Sequence, residues 1–152
     1  VIVPLTVVRR YFPEVTSEGQ TGQDKSAAGK ATGTRLVVFA NGDGSKKVTL
    51  SVNHYSSASD ASSAYEQAVQ GSKSAPGAKS ATAPALGQKA FAGTSAVGAE
   101  KHYGLGAVDG RLIVAATYAG FPVTARNAAK LVALARLEDA AAKRALGSSA
   151  GS

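Results

Sequence analysis

Residues 100–118, "EKHYGLGAVDGRLIVAATY", decide the fold. Two β-rich runs flank Asp109-Gly110, a dipeptide that favours a tight hairpin turn. With those two residues as the turn, Ala107 faces Leu112, Leu105 faces Val114 and Tyr103 faces Ala116. Side chains alternate along a strand, so these residues make the core face. His102, Gly104 and Gly106 then lie on the opposite face with Ile113, Ala115 and Thr117. Two glycines two residues apart leave that face bare. Close approach of another backbone would account for them, and the expected neighbour is the final helix around Ala128 and Ala135. A ligand groove floored by the glycines is the alternative.

A second hairpin is read in "TRLVVFANGDGSKKVTLSVNHY", residues 34–55. "NGDG" supplies the turn, Phe39 faces Val48, and Val37 faces Leu50. Val52 and His54 share that face, while Thr49, Ser51 and Asn53 take the wetter one. Helical patterns occupy the rest. Pro4 opens a short helix carrying Leu5, Val8 and Phe12. Residues 58–71 form an amphipathic helix capped by Ser57 or Ser59, with a stripe of Ala58, Ala61, Tyr65, Ala68 and Val69. Residues 124–140 form the longest helix, capped by Thr124, with a stripe of Ala128, Leu131, Val132 and Ala135. Leu137, Ala141 and Leu146 extend that stripe. A short strand surrounds Phe91.

Residues 17–33 hold no large apolar side chain and read as a polar loop, and residues 72–87 read as an internal small-residue linker. Residues 148–152 read as a disordered tail. The resulting order is α-β-β-α-β-β-β-α. That is an α+β fold: one domain over residues 1–147, with an antiparallel sheet of about five strands flanked by helices.

The 152 residues suit one core, and 44% are hydrophobic, mostly Ala, Val and Leu. Lys and Arg number 17 against 10 acids, for a net charge of +7. The cations are scattered rather than gathered beside exposed aromatics, which speaks against a nucleic-acid partner. There is no Cys, which excludes disulfides, thiolate metal sites and Cys nucleophiles. The chain starts at Val1 and contains no Met. It therefore reads as processed or trimmed, and its Ala/Gly/Ser/Thr-rich composition suggests export after signal removal. No apolar run reaches the roughly 20 residues that span a bilayer.

"LGQKAFAG" at residues 86–93, followed by "VDGRLIVAATYAG" and an Ala-rich last helix, resembles a group of exported bacterial domains. The group includes actinobacterial cell-envelope lipoproteins and the extracellular sensor domains of some receptor kinases. Its strand start carries an acid where this chain has Gln88. The resemblance covers roughly residues 34–140 and implies a PsbP-like sandwich of antiparallel sheet and helices. It further implies an exported, periplasmic or envelope-associated location, with a lipid anchor in the precursor.

Chemical signatures are few. The two histidines, His54 and His102, fall on opposite strand faces, so no metal or cofactor site is expected. No serine sits in a nucleophile elbow, and no glycine-rich phosphate loop precedes a helix. The reading is an exported, non-catalytic binding or sensor-like domain. Its partner would be a small apolar molecule, an envelope polymer or a protein. Tyr55, Tyr65, His102, Tyr103 and Tyr118 are the candidate ligand-binding residues, because tyrosine offers an apolar body with a polar tip. A small enzyme using His102 with Glu100 or Tyr103 is one alternative. A structural protein assembling through an exposed strand edge is the other.

Overall fold

A computed structural model describes residues 3–22 and 31–150. Among the described residues three helices and seven strands follow one another: α1 (Leu5–Tyr11), β1 (Ser17–Gly22), β2 (Ala31–Ala40), β3 (Lys47–Tyr55), α2 (Ala58–Lys73), β4 (Lys79–Ala81), β5 (Lys89–Val97), β6 (Glu100–Asp109), β7 (Leu112–Ala119) and α3 (Ala125–Ala150). All seven strands join one open antiparallel sheet in the order β1-β2-β3-β7-β6-β5-β4. The α+β class and the antiparallel sheet are as the sequence implies.

The strand count and element order differ from expectation. β1 arises inside the expected polar loop, and β4 inside the expected linker. Each forms an outer edge of the sheet, paired on one side only. Pairing through backbone hydrogen bonds needs no apolar face, so a hydropathy pattern does not mark such strands. At the far end, α3 continues to Ala150, so residues 148–150 are helical rather than a tail. Residues 151 and 152 lie outside the described residues.

The first hairpin has the register read from its sequence, with Val37 opposite Leu50 and Phe39 opposite Val48. The second is displaced. Ala107 faces Val114, Leu105 faces Ala116 and Tyr103 faces Tyr118. The turn residues are Gly110 and Arg111, and Gly110 has φ 61°. A type II′ turn takes glycine at its first central position, so the turn starts one residue later than Asp109-Gly110 implies. Each partner moves by two residues, and every side chain keeps its face.

The two sheet faces are packed unequally. On one, Val37, Phe39, Val48, Leu50, Tyr103, Leu105, Val114 and Tyr118 meet Leu131, Leu134 and Ala135 of α3 and Val8 and Phe12 of α1. Phe12, Tyr118 and Phe121 form a ring cluster with centroids 5.1–5.9 Å apart, and Tyr103 stacks on Tyr118 at 5.4 Å. On the other face a smaller core joins Tyr55, Val108 and Ile113 to Ala61 and Tyr65 of α2. Ser57 caps α2 by accepting from the Asp60 N–H, and Thr124 caps α3 by accepting from the Asn127 N–H. The stripe of α3 runs through Leu134, Glu138 and Ala142, leaving Leu137 39% exposed.

Polar clamps hold the ends. Gln88, standing where the resembling domains carry an acid, accepts from the Gly110 N–H at 3.1 Å and pins the linker to the β6–β7 turn. Lys143 on α3 bridges Asp109 at that turn and Asp139 one helical turn back. Glu138 is fully buried and accepts from the Val3 N–H at 3.0 Å. Its burial raises the carboxyl from 4.5 to about 7, against the opposing pull of the Val3 N–H and Arg35.

The unfolded chain ionises Glu138 near its ordinary value, while the folded chain holds the proton until about pH 7. Between those values the unfolded state binds fewer protons, so stability falls as pH rises, by up to ~3 kcal/mol. Glu138→Gln mimics the protonated acid and keeps the acceptor for Val3. It is expected to match the native chain at about pH 4.5 and to exceed it by ~1–3 kcal/mol at about pH 8. Urea melts at both pH values check this; equal midpoints at the higher pH would contradict it.

Candidate ligand-binding site

The bare face has a row structure set by strand register. Gly93, Gly104 and Thr117 lie opposite one another across β5, β6 and β7. Phe91, Gly106 and Ala115 form the next row, and Ser95, His102 and Ala119 the row on the other side. The two glycines of β6 therefore have different neighbours. A Cβ on Gly106 would lie 2.7 Å from Cε1 of Phe91, whose ring covers that position. The ring is held in turn by Tyr65 of α2, edge-on at 5.6 Å and 62°. A Cβ on Gly104 would lie 2.7 Å from Cγ2 of Thr117 and would meet no helix. The expectation that the final helix approaches these glycines is corrected, because α3 packs on the opposite face.

Beyond Phe91 the sheet is left open as a cavity of about 380 Å³. Its floor is Phe91, Gly93, Ser95, His102, Gly104, Ala115 and Thr117; Ala92, Thr94 and Leu105 border it, with side chains turned by strand alternation to the α3 face. Its wall is the last turn of α2 with Ser72 and Lys73, the connection through Ala75 and Ala78, and Lys79 and Ser80 at β4. A volume of this size is at the small end of ligand sites, which run to about 300–1,000 Å³. The lining is apolar at Phe91, Ala75, Ala78 and Ala115, with hydroxyls from Ser95 and Thr117. No carboxylate is among the lining residues.

The predicted site residues are dispersed. Tyr103 and Tyr118 are buried in the α3 core, and Tyr55 and Tyr65 in the α2 core. Burial pushes the phenols of Tyr65, Tyr103 and Tyr118 above their ordinary value, so they stay protonated. His102 alone of the five lines the cavity. Sequence reasoning missed Gly93, Phe91 and Thr117. The signal available was the "FAG" at residues 91–93, which places a ring and a glycine on the face that carries Gly104 and Gly106.

Glu100 Oε1 lies 3.0 Å from His102 Nε2, close enough to pair with the protonated ring. The approach is out of line for a directed hydrogen bond, leaving Nε2 buried without one. Ser95 is opposite His102 in the ladder, yet no hydrogen bond joins its hydroxyl to the ring among the described residues. Nucleophilic catalysis needs that contact. Tyr103 points to the other side of the sheet, so it does not meet His102. His54 is also apart: it bonds Thr32 Oγ1 through Nδ1 at 2.9 Å and borders a separate cavity of about 230 Å³. Among the described residues no group of three His, Cys, Asp or Glu side chains is arranged to hold a metal.

The fold is similar to that of an extracellular domain of known structure. The extracellular domain of PknH from Mycobacterium tuberculosis superposes with a TM-score of 0.66 over 90% of this chain and 93% of that one, at 14% identity. The likeness is one of fold. No family model matches the chain, and no curated protein matches its sequence.

The unequal glycines predict unequal mutants. Gly106→Val must displace a ring wedged against Tyr65, and is expected to cost about 1–3 kcal/mol. Gly104→Val need only turn Thr117, and better strand propensity offsets part of that, for a net change under about 1 kcal/mol. Urea melts of the two variants compare them; equal losses would contradict the assignment of Gly106 to packing and Gly104 to the cavity floor.

Proposed function

We propose that the protein is a non-catalytic, exported binding or sensor-like domain that takes a small ligand in the glycine-floored cavity. The observation that carries this reading is the uncovered row Gly93–Gly104–Thr117, an apolar recess in a sheet whose opposite face is packed by α3 and α1. Apolar recesses with a few polar groups are the usual form of a ligand site. The fold shared with an extracellular domain supports an extracytoplasmic, envelope-associated role. Among the described residues no helix is long and apolar enough to cross a membrane. The PsbP-like grouping belongs to the same proposal and rests on the strand motifs. His102 keeps its place as a site residue, beside Thr117 and Ser95. The four tyrosines act from behind the site, through Tyr65 holding Phe91 and through the core beneath the sheet.

Amide-resolved NMR titration with a set of small amphiphiles tests the reading. Shifts are expected to cluster at Gly93, Gly104 and Thr117. Ala115→Phe, which fills the recess from its floor, is expected to remove them while leaving the remaining spectrum folded. Shifts scattered over the surface, or persisting in the filled variant, would count against the cavity.

A further inference from the structure

Cations that lie scattered along the sequence are gathered by the fold around one aromatic cluster. Lys46 Nζ stands 5.6 Å from the centroid of the Phe121 ring, and Lys130 Nζ stands 5.8 Å from that of Phe12. The two rings are neighbours, with centroids 5.1 Å apart. Arg126 lies four residues before Lys130 on α3 and so shares its helix face. It also occupies the first turn, which holds no acid and where the helix dipole disfavours a cation. Arg9 and Arg10 are exposed in the last turn of α1, just ahead of Phe12. None of these five is in an ion pair among the described residues, whereas Lys89 pairs with Glu66 and Lys143 with Asp109 and Asp139. The acids nearest to them along the chain are Glu14 and Asp43, and the Asp43 carboxylate is taken up by the N–H and hydroxyl of Ser45. The segments that leave the two rings expose apolar residues. Pro13 follows Phe12, and Pro122 and Val123 follow Phe121, with Val123 37% exposed.

We propose that this end of the molecule docks on an anionic lipid bilayer, with Val123 and the two prolines entering the headgroup layer and the five cations set around them against lipid phosphates. Exposed apolar residues ringed by cations match a layer that is negative at its surface and apolar beneath. The cations come from three elements, α1, the β2–β3 turn and α3. They therefore cover a patch suited to a plane of charge, rather than a groove suited to a single polymer strand. Lys46 and Lys130 lie across rings that are otherwise buried, which limits the freedom those side chains lose on docking. The rings belong to the core that α3 and α1 share, on the opposite side of the sheet from the glycine-floored cavity. Docking therefore does not depend on the cavity taking a ligand.

The full chain is floated with vesicles of phosphatidylcholine alone, and with vesicles in which about one-third of the lipid is phosphatidylglycerol. Binding is expected with the anionic vesicles only, and is expected to be lost as salt rises from about 0.05 to about 0.5 M. Arg9→Gln/Arg126→Gln removes two cations that cover no ring. It is expected to weaken binding about fivefold for each charge, or about 25-fold together. Arg111→Gln/Arg144→Gln makes the same change of net charge at the opposite end, by the β6–β7 turn and late in α3. Those charges lie beyond the reach of a screened surface, so the expected change is less than about twofold. Val123→Ser is expected to weaken vesicle binding about fivefold and to leave binding to soluble polyphosphate unchanged. Circular dichroism first matches each variant to the native chain. Equal losses in the two double variants would overturn the patch in favour of diffuse attraction by net charge. Vesicle binding indifferent to Val123→Ser, with tighter binding to polyphosphate, would overturn the bilayer in favour of an anionic polymer. No flotation with either vesicle would overturn docking outright, and the amide titration of the cavity would stand apart from that result.

Discussion

The pairing of β3 with β7 is the contact on which the rest of the molecule depends. Each hairpin alone is a two-stranded ribbon, marginal in water and with one apolar face exposed. Laying Val48 against Tyr118, Leu50 against Ala116 and Val52 against Val114 merges the ribbons into one sheet. Only then does a single apolar face exist that is wide enough for α3 and α1. The same register aligns Asn53 with Ile113 and so sets the platform for α2 on the reverse side.

The functional asymmetry follows from what each helix can cover. α3 is long and meets large aliphatic and aromatic side chains, so its face carries the larger core. α2 is anchored at one end of the other face, where Tyr55, Val108 and Ile113 meet Ala61 and Tyr65. Tyr65 props Phe91 across Gly106, and the ring marks where the cover stops. Past it the strands carry glycine, alanine, serine and threonine, which are too short to fill the space themselves. The recess is thus a product of small residues at fixed register positions and of a helix seated off centre.

Much of this was legible in the sequence, for reasons that can be named. Period-two alternation fixed both hairpin faces, and Ser57 and Thr124 announced their helices as caps. The pair Gly104 and Gly106 flagged the right face, but not the division of labour between them, which requires knowing that β5 places Phe91 opposite one and Gly93 opposite the other. β1 and β4 were illegible because edge pairing leaves no apolar imprint. Glu138 was hidden because a carboxylate in an Ala-rich helix reads as solvated, whereas it is buried beside the Val3 N–H. The tyrosines have the chemistry of pocket residues, but strand parity sends two of the five candidates, Tyr103 and Tyr118, to the far side of the sheet.

The central pairing also bears on how the chain reaches its native state. Both hairpins close over short turns, and ribbons of that kind form in about 1–10 μs. β3 and β7 are joined only through α2, β4, β5 and β6, so Val52 and Val114 meet across about sixty intervening positions. Closing so long a span costs chain entropy before any of its contacts reward it. Assembly is therefore ordered in time, with two early ribbons and a late central zipping that completes both cores and the recess together. A nascent chain retains an unpaired β3 edge until β7 has been made, and that edge is where a mispairing neighbour would attach.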